Sequence, residues 1–212
     1  SIILRIMSYL RILELPRLLK SKSHFLFGPR GSGKTTLIRE TLPSDRFPVI
    51  NLLDNETRLR LVQNPSDLKR IVADQSRSVE AVVIDEVQKI PELLDEVHDL
   101  IESKGMKFLL TGSSARKLKR TGANLLGGRA RMARMFPLVS AEMPEPNWAK
   151  LFQFGGLPGV VTSTEPWLDL RAYVDTYLNE EIQQEAQVRN LTHFSRFLKG
   201  AALQSSELLN YA

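Results

Sequence analysis

The sequence has no cysteine. Disulfides and thiolate metal centres are therefore excluded, and the composition suits a reducing compartment, so a cytoplasmic location is expected. No stretch approaches the roughly 18 apolar residues of a membrane span, so no membrane partner is expected. Ser1-Ile2-Ile3-Leu4-Arg5-Ile6-Met7 is too short and too interrupted for a signal peptide. There is no initiating methionine, which fits processing or a fragment. Internal repeats and low-complexity tracts are missing. So are zinc-finger spacing and basic strands interleaved with aromatics, and nothing here reads a base.

Acid is missing from one segment. Arg116, Lys117, Lys119, Arg120, Arg129, Arg131 and Arg134 fall between Ser113 and Arg134 without an Asp or Glu. Such a block can meet nucleic acid, phosphates or an acidic partner. The plainer alternative is a solvated face. The chain as a whole carries +5 over 212 residues, with ordinary hydrophobic (42%) and charged (25%) fractions. That length holds one large domain, or a large one with a small one.

What is present is dominated by Gly28-Pro29-Arg30-Gly31-Ser32-Gly33-Lys34-Thr35. It fits the pattern Gly-x4-Gly-Lys-Ser/Thr at each specified position. His24-Phe25-Leu26-Phe27 before it reads as a buried strand, and Thr36-Leu37-Ile38-Arg39-Glu40 after it as a helix start. Glycines let the backbone curl so that N–H groups converge on an anion. The helix N-terminus adds positive potential there. Gly28 to Thr36 are the candidate phosphate-binding residues. Lys34 can reach the β- and γ-phosphates, and Thr35 can ligate Mg²⁺. A glycine-rich turn without a ligand is the alternative. The motif in this context points to a nucleoside triphosphate.

Ala81-Val82-Val83-Ile84-Asp85-Glu86 is the second strong signal: an apolar run ending in two carboxylates. The run reads as a strand buried on both faces, whose C-terminal end reaches the ligand edge of a parallel sheet. Asp85 is the candidate metal residue beside Thr35. Glu86 is the candidate that orients the attacking water. An acidic pair capping the next segment is the alternative. Lys107 to Ser114 reads as another short strand, and Thr111 and Ser113 are candidates for the γ-phosphate or the water. Plain turn chemistry after a strand is the alternative, and taken by itself the better one.

Phe47 to Leu52 and Met132 to Leu138 read as further strands. Helices are expected over 54–63, 68–73 and 92–103. Apolar spacing over 4–20 reads as a leading helix, interrupted or ended near Pro16. The fold class is therefore α/β, a P-loop three-layer sandwich with a central parallel sheet and a small helical lid. The expected domains are 1–142, with 1–20 as leading helix, and 143–212 as helical lid or linker. The run Gly155-Gly156-Leu157-Pro158-Gly159 marks a change of texture. Glu207 to Ala212 is helical in pattern without a stop signal, so the chain is expected to continue.

These motifs together resemble the bacterial and archaeal AAA-type ATP-binding proteins that carry a C-terminal domain of unknown function. The matching pieces are the loop Gly28 to Thr36, Val83-Ile84-Asp85-Glu86-Val87-Gln88 and Leu110-Thr111-Gly112-Ser113-Ser114. They continue with Gly128-Arg129, Phe136-Pro137-Leu138, Gly155-Gly156-Leu157-Pro158, and Tyr173, Tyr177-Leu178 and Glu181-Ile182. The resemblance implies an AAA-type sheet with Thr111 or Ser113 at the sensor position. It also implies Arg129 as a charge near the γ-phosphate. Glu181 stands where the family usually has Asp. The resemblance also implies a further C-terminal domain, which is expected to lie outside this sequence.

The expected activity is Mg²⁺-dependent ATP hydrolysis coupled to a conformational change in a partner. Arg129, from this chain or a neighbour in an oligomer, is the candidate arginine, with Arg116, Arg131 and Arg134 as rivals. A slow nucleotide-dependent switch and a P-loop phosphotransferase are the competing readings. The resemblance implies ATP and ADP over guanine nucleotides, and the missing Asn/Thr-Lys-x-Asp motif of many GTPases leans the same way. An unidentified protein partner is expected, with nucleic acid as an additional one through the basic block.

Overall fold

The structure is a computed structural model. It describes residues 9–74, 78–113, 115, 118, 126–178 and 191–204. Two compact units divide between Thr164 and Glu165. The first therefore includes 143–164, which the sequence groups with the helical region.

The first unit holds a sheet of β1 (Ser23–Phe27), β2 (Val49–Asn51), β3 (Val82–Asp85), β4 (Phe108–Gly112) and β5 (Ala130–Arg134). All pairings are parallel, in the order β2-β3-β4-β1-β5. The inner strands β1, β3 and β4 are buried along their whole length. That is why they read as unbroken apolar runs rather than as alternation. The edge strand β5 exposes Arg131 and Arg134, charges that discourage pairing with another chain.

Helices α1 (Leu15–Ser21), α2 (Lys34–Thr41), α3 (Asn55–Gln63), α4 (Asp67–Ala73) and α5 (Leu93–Lys104) cover the sheet. Phe25, Phe27, Ile84 and Leu110 join Leu61, Leu68, Val97 and Leu100 in one core. Their strand neighbours Leu26, Val83 and Leu109 join Leu15, Leu19, Leu37 and Ile38 in another. So α3, α4 and α5 cover one face and α1 and α2 the other, giving the three-layer α/β core expected. Each fully buried Leu or Phe contributes about 1.5–3 kcal/mol.

The leading helix is shorter than its spacing suggests. Residues 9–14 are not helical, and 1–8 lie outside the described residues. The helix starts at Leu15 with Pro16 in its first turn. Pro16 therefore opens the helix instead of ending it, because a first-turn N–H has no intrahelical acceptor to lose.

After β5 the first unit continues through a 3₁₀ turn (Ser140–Glu142), α6 (Trp148–Phe154) and α7 (Pro158–Val161). The second unit is helical: α8 (Pro166–Ala172), a π-turn (Tyr173–Leu178) and α9 (Leu191–Leu203). Glu181 and Ile182 lie outside the described residues. Among the described residues no helix is long and apolar enough to cross a membrane.

Candidate functional site

Strand β1 ends in the loop Gly28 to Gly33, and α2 begins at Lys34. Gly33, the N-cap, has φ 92°, a left-handed conformation that glycine adopts without a Cβ clash. Gly28 is required for a different reason. A Cβ there would lie 2.2 Å from the Met135 carbonyl oxygen. Met135 is held at that spot because its N–H donates to the Phe27 carbonyl at 2.7 Å. The loop is thus pressed against the exit of β5.

The Lys34 ammonium turns back into the loop and donates to the Gly28 carbonyl at 2.6 Å and the Pro29 carbonyl at 3.2 Å. Ser32 is fully buried, and its hydroxyl has no hydrogen-bond partner among the described residues. A buried polar atom without a partner costs about 1–3 kcal/mol. A phosphate oxygen in the loop supplies the acceptor Ser32 lacks, so the residues present fit a bound triphosphate. Arg30, Gly31, Thr35 and Thr36 are exposed, and Pro29 is half-buried.

Strand β4 lies between β1 and β3, so the loop and Asp85 are two strands apart, about 10 Å. Thr35 bridges that gap. Its hydroxyl donates to Asp85 Oδ2 at 3.1 Å. From the other side, the Thr111 hydroxyl donates to Asp85 Oδ1. Thr111 also accepts the Glu86 N–H at 3.1 Å. The buried Asp85 carboxylate is therefore fixed through both oxygens. Thr111 is fully buried with its hydroxyl committed to these two neighbours, so it locates Asp85 and Glu86 from behind. Ser113 follows β4 beside the loop, where the Gly112 carbonyl accepts the Gly28 N–H at 3.3 Å. Ser114 lies outside the described residues.

Glu86 sits in the left-handed region, φ 64° and ψ 44°. A non-glycine residue pays roughly 1 kcal/mol or more for that conformation, and such residues concentrate at functional sites. Its carboxylate accepts from the Gln88 amide nitrogen. The Gln88 amide oxygen is buried without a partner among the described residues.

Arg129 is not brought to this site by its own chain. It immediately precedes Ala130, which pairs with Ser23 at the start of β1. The loop leaves the other end of β1, roughly 16 Å away at about 3.3 Å per residue. Arg129 instead bonds Glu102 at the end of α5 and the Gly127 carbonyl at 3.2 Å. Arg131 pairs opposite His24 at mid-strand, and Arg134 opposite Phe27 at the loop end. Arg116, Lys117, Lys119 and Arg120 lie outside the described residues.

The structure also gathers residues that no local pattern singles out. A cavity of about 320 Å³ opens beside the start of α2, lined by Tyr9, Arg11, Thr36, Leu37, Leu138 and Pro158, among others. Pro158 belongs to the run that the sequence marks as a change of texture and as a piece of the family resemblance, with no role assigned to it. The Gly156 carbonyl accepts the Leu138 N–H at 2.7 Å, which ties that run to the exit of β5. The glycine–proline run was the available signal; Tyr9 and Arg11 had none.

Residues 20–143 match the AAA domain family. The chain belongs to that family. Residues 145–212 match a domain of unknown function. None of the curated proteins matches the sequence. Membership makes this a nucleotide-binding, ATPase-type domain. Such domains generally hydrolyse ATP and usually bind nucleotide with Mg²⁺. The donor set suits that ion. Among the described residues no group of three or more His, Cys, Asp or Glu could hold a metal. One hydroxyl and one carboxylate, Thr35 and Asp85, match a Mg²⁺ that keeps several waters and takes substrate phosphate oxygens.

Proposed function

We propose that the chain is a Mg²⁺-dependent ATPase that couples hydrolysis to a conformational change in a partner protein or in its own C-terminal region. The observation that carries this reading is the bonded series Thr35, Asp85, Thr111 and the Glu86 N–H. It ties the phosphate loop to Glu86, the carboxylate assigned to the attacking water.

The loop N–H groups and Lys34 hold the triphosphate, and Lys34 exchanges the Gly28 and Pro29 carbonyls for phosphate oxygens. Ser32 donates to the same phosphates. Thr35 and Asp85 would hold Mg²⁺, which when bound would neutralise charge on the phosphate oxygens. Glu86 orients water in line with the γ-phosphorus and accepts its proton. The new P–O bond forms as the bond to the β-phosphate oxygen breaks, releasing ADP and phosphate. Ser113 lies at the loop edge and contacts the γ-phosphate. The cavity beside α2 takes the base, between Tyr9 and Pro158. Arg129, at the far edge of the sheet, would serve a neighbouring copy and not its own site. Arg131 and Arg134 offer the exposed charge for an acidic or nucleic-acid partner.

A nucleotide switch with slow turnover is the second reading. It is favoured by the Gln88 amide on the Glu86 carboxylate, which holds that group back from water. Measuring ATP binding and phosphate release on the same preparation separates the two. Binding with steady release, both lost in Lys34→Ala, supports the ATPase. Binding without release supports the switch.

A further inference from the structure

Arg11 lies in the non-helical lead before α1, outside every motif, and its guanidinium joins three segments. Nε donates to Glu142 Oε1 at 3.0 Å. Nη1 donates to the Ser32 carbonyl at 3.1 Å, and Nη2 to the Phe136 carbonyl at 2.6 Å. Glu142 completes the set: Oε1 also accepts the Ile12 N–H at 3.0 Å, and Oε2 the Val139 N–H at 3.2 Å. The two side chains are only 8% and 5% exposed. A buried ion pair contributes little unless further hydrogen bonds meet its other polar atoms, and here all three guanidinium nitrogens and both Glu142 oxygens are engaged. A planar guanidinium can span three acceptors in this way, whereas a lysine ammonium is a point charge.

The Ser32 contact reaches the phosphate loop directly. A trans peptide sends its carbonyl and the following N–H to opposite sides. Fixing the Ser32 carbonyl on Arg11 therefore fixes the direction of the Gly33 N–H. That N–H stands at the start of α2, where backbone donors meet phosphate. Arg11 also lines the cavity beside α2, together with Tyr9, Thr36 and Pro158. One side chain thus touches both the loop and the wall of the cavity.

We infer that Arg11, locked by Glu142, is a positioning residue that couples occupancy of the cavity by the nucleoside to the shape of the phosphate loop. This rests on the site being a triphosphate site. A nucleoside in the cavity packs on the lead segment and holds the Arg11 clamp closed. The clamp in turn holds the Ser32–Gly33 peptide. A ligand without a nucleoside gains nothing from the clamp beyond the loop itself.

The test compares the affinities of ATP and inorganic tripolyphosphate, both with Mg²⁺, for the unaltered chain, Arg11→Lys, Arg11→Ala and Glu142→Gln. Melting temperature checks that each variant folds. The ratio of the two affinities is the readout, because a merely structural defect weakens both ligands alike. Arg11→Ala is expected to weaken ATP at least tenfold more than tripolyphosphate. Arg11→Lys and Glu142→Gln, which keep charge or bulk, are expected to shift the ratio in the same direction by a smaller factor. Equal weakening of both ligands, or ATP affinity within twofold of the unaltered chain in the folded variants, overturns the inference alone. If the unaltered chain binds neither ligand, the triphosphate site itself is refuted and the inference falls with it.

Discussion

The Thr35 hydroxyl lies 3.1 Å from Asp85 Oδ2, fifty positions further along the chain. This contact closes the site across an intervening strand. It places the first turn of α2 against the end of β3, and Thr111 holds the same carboxylate from beneath. Three hydroxyl or carboxyl groups from three elements thereby share one arrangement.

Thr111→Val is the sharpest probe of that arrangement. Valine keeps the shape and removes the hydroxyl, leaving Asp85 Oδ1 and the Glu86 N–H without their partner. Stability is expected to fall by about 1–3 kcal/mol, measured by urea denaturation. Turnover is expected to fall more than ATP affinity, because Thr111 acts through Asp85 and Glu86. Unchanged stability and turnover would mean that neither bond matters.

Asp85→Asn keeps one of the two hydroxyl bonds as it is, lets the other reverse with the amide nitrogen donating, and removes the charge. ATP turnover, titrated with Mg²⁺, is expected to need a higher metal concentration to reach half its maximum. An identical Mg²⁺ titration in both proteins would remove Asp85 from the metal site.

Gly28→Ala places a methyl group 2.2 Å from a backbone oxygen of Met135, an atom that cannot swing aside. The loop and the exit of β5 must separate. A loss of about 1–3 kcal/mol is expected from the overpacking, together with weaker nucleotide binding. Differential scanning calorimetry and ATP titration measure the two effects.

Acid and base act on surface groups in opposite directions. The Thr57 N–H and hydroxyl lower the Asp54 pKa, Lys69 lowers that of Asp99, and Arg129 lowers that of Glu102. With folded pKa values below the unfolded ones, their contribution is complete at neutral pH. It is lost as pH falls below about 4 through the lowered values. Lys69 is raised by Asp99 and then Glu96, so its contribution is present below the ordinary lysine value of about 10.4. It is lost as pH rises through the raised value. All four groups are exposed, so each contributes little and is screened by salt. Thermal melts across pH are expected to show a plateau that declines at both ends, with shallower declines at high salt.

Much of this site was legible because its parts are local. Gly28 to Thr35 must curl around an anion whatever the rest of the chain does. The apolar run before Asp85 carries its own strand signal. Other parts depend on pairing. Whether Arg129 stands at the loop or at the far edge depends on the direction and register of β5 against β1. Both are tertiary facts, and they put Arg134 and not Arg129 at the loop end. Arg11 and Glu142 are 131 positions apart, and nothing at either position announces the other. Pro16 reads as a helix end in the sequence but stands in the first turn of α1, since proline ends one helix and begins the next with the same constraint on φ.

The most direct measurement is ATP turnover by Glu86→Gln beside ATP binding by the same variant. Glutamine keeps the shape and cannot take a proton from water. Binding is expected to stay within a few-fold of the unaltered chain, and turnover to fall by about 10²–10⁴. Turnover at the unaltered rate would contradict the role of Glu86 and, with it, hydrolysis by this arrangement.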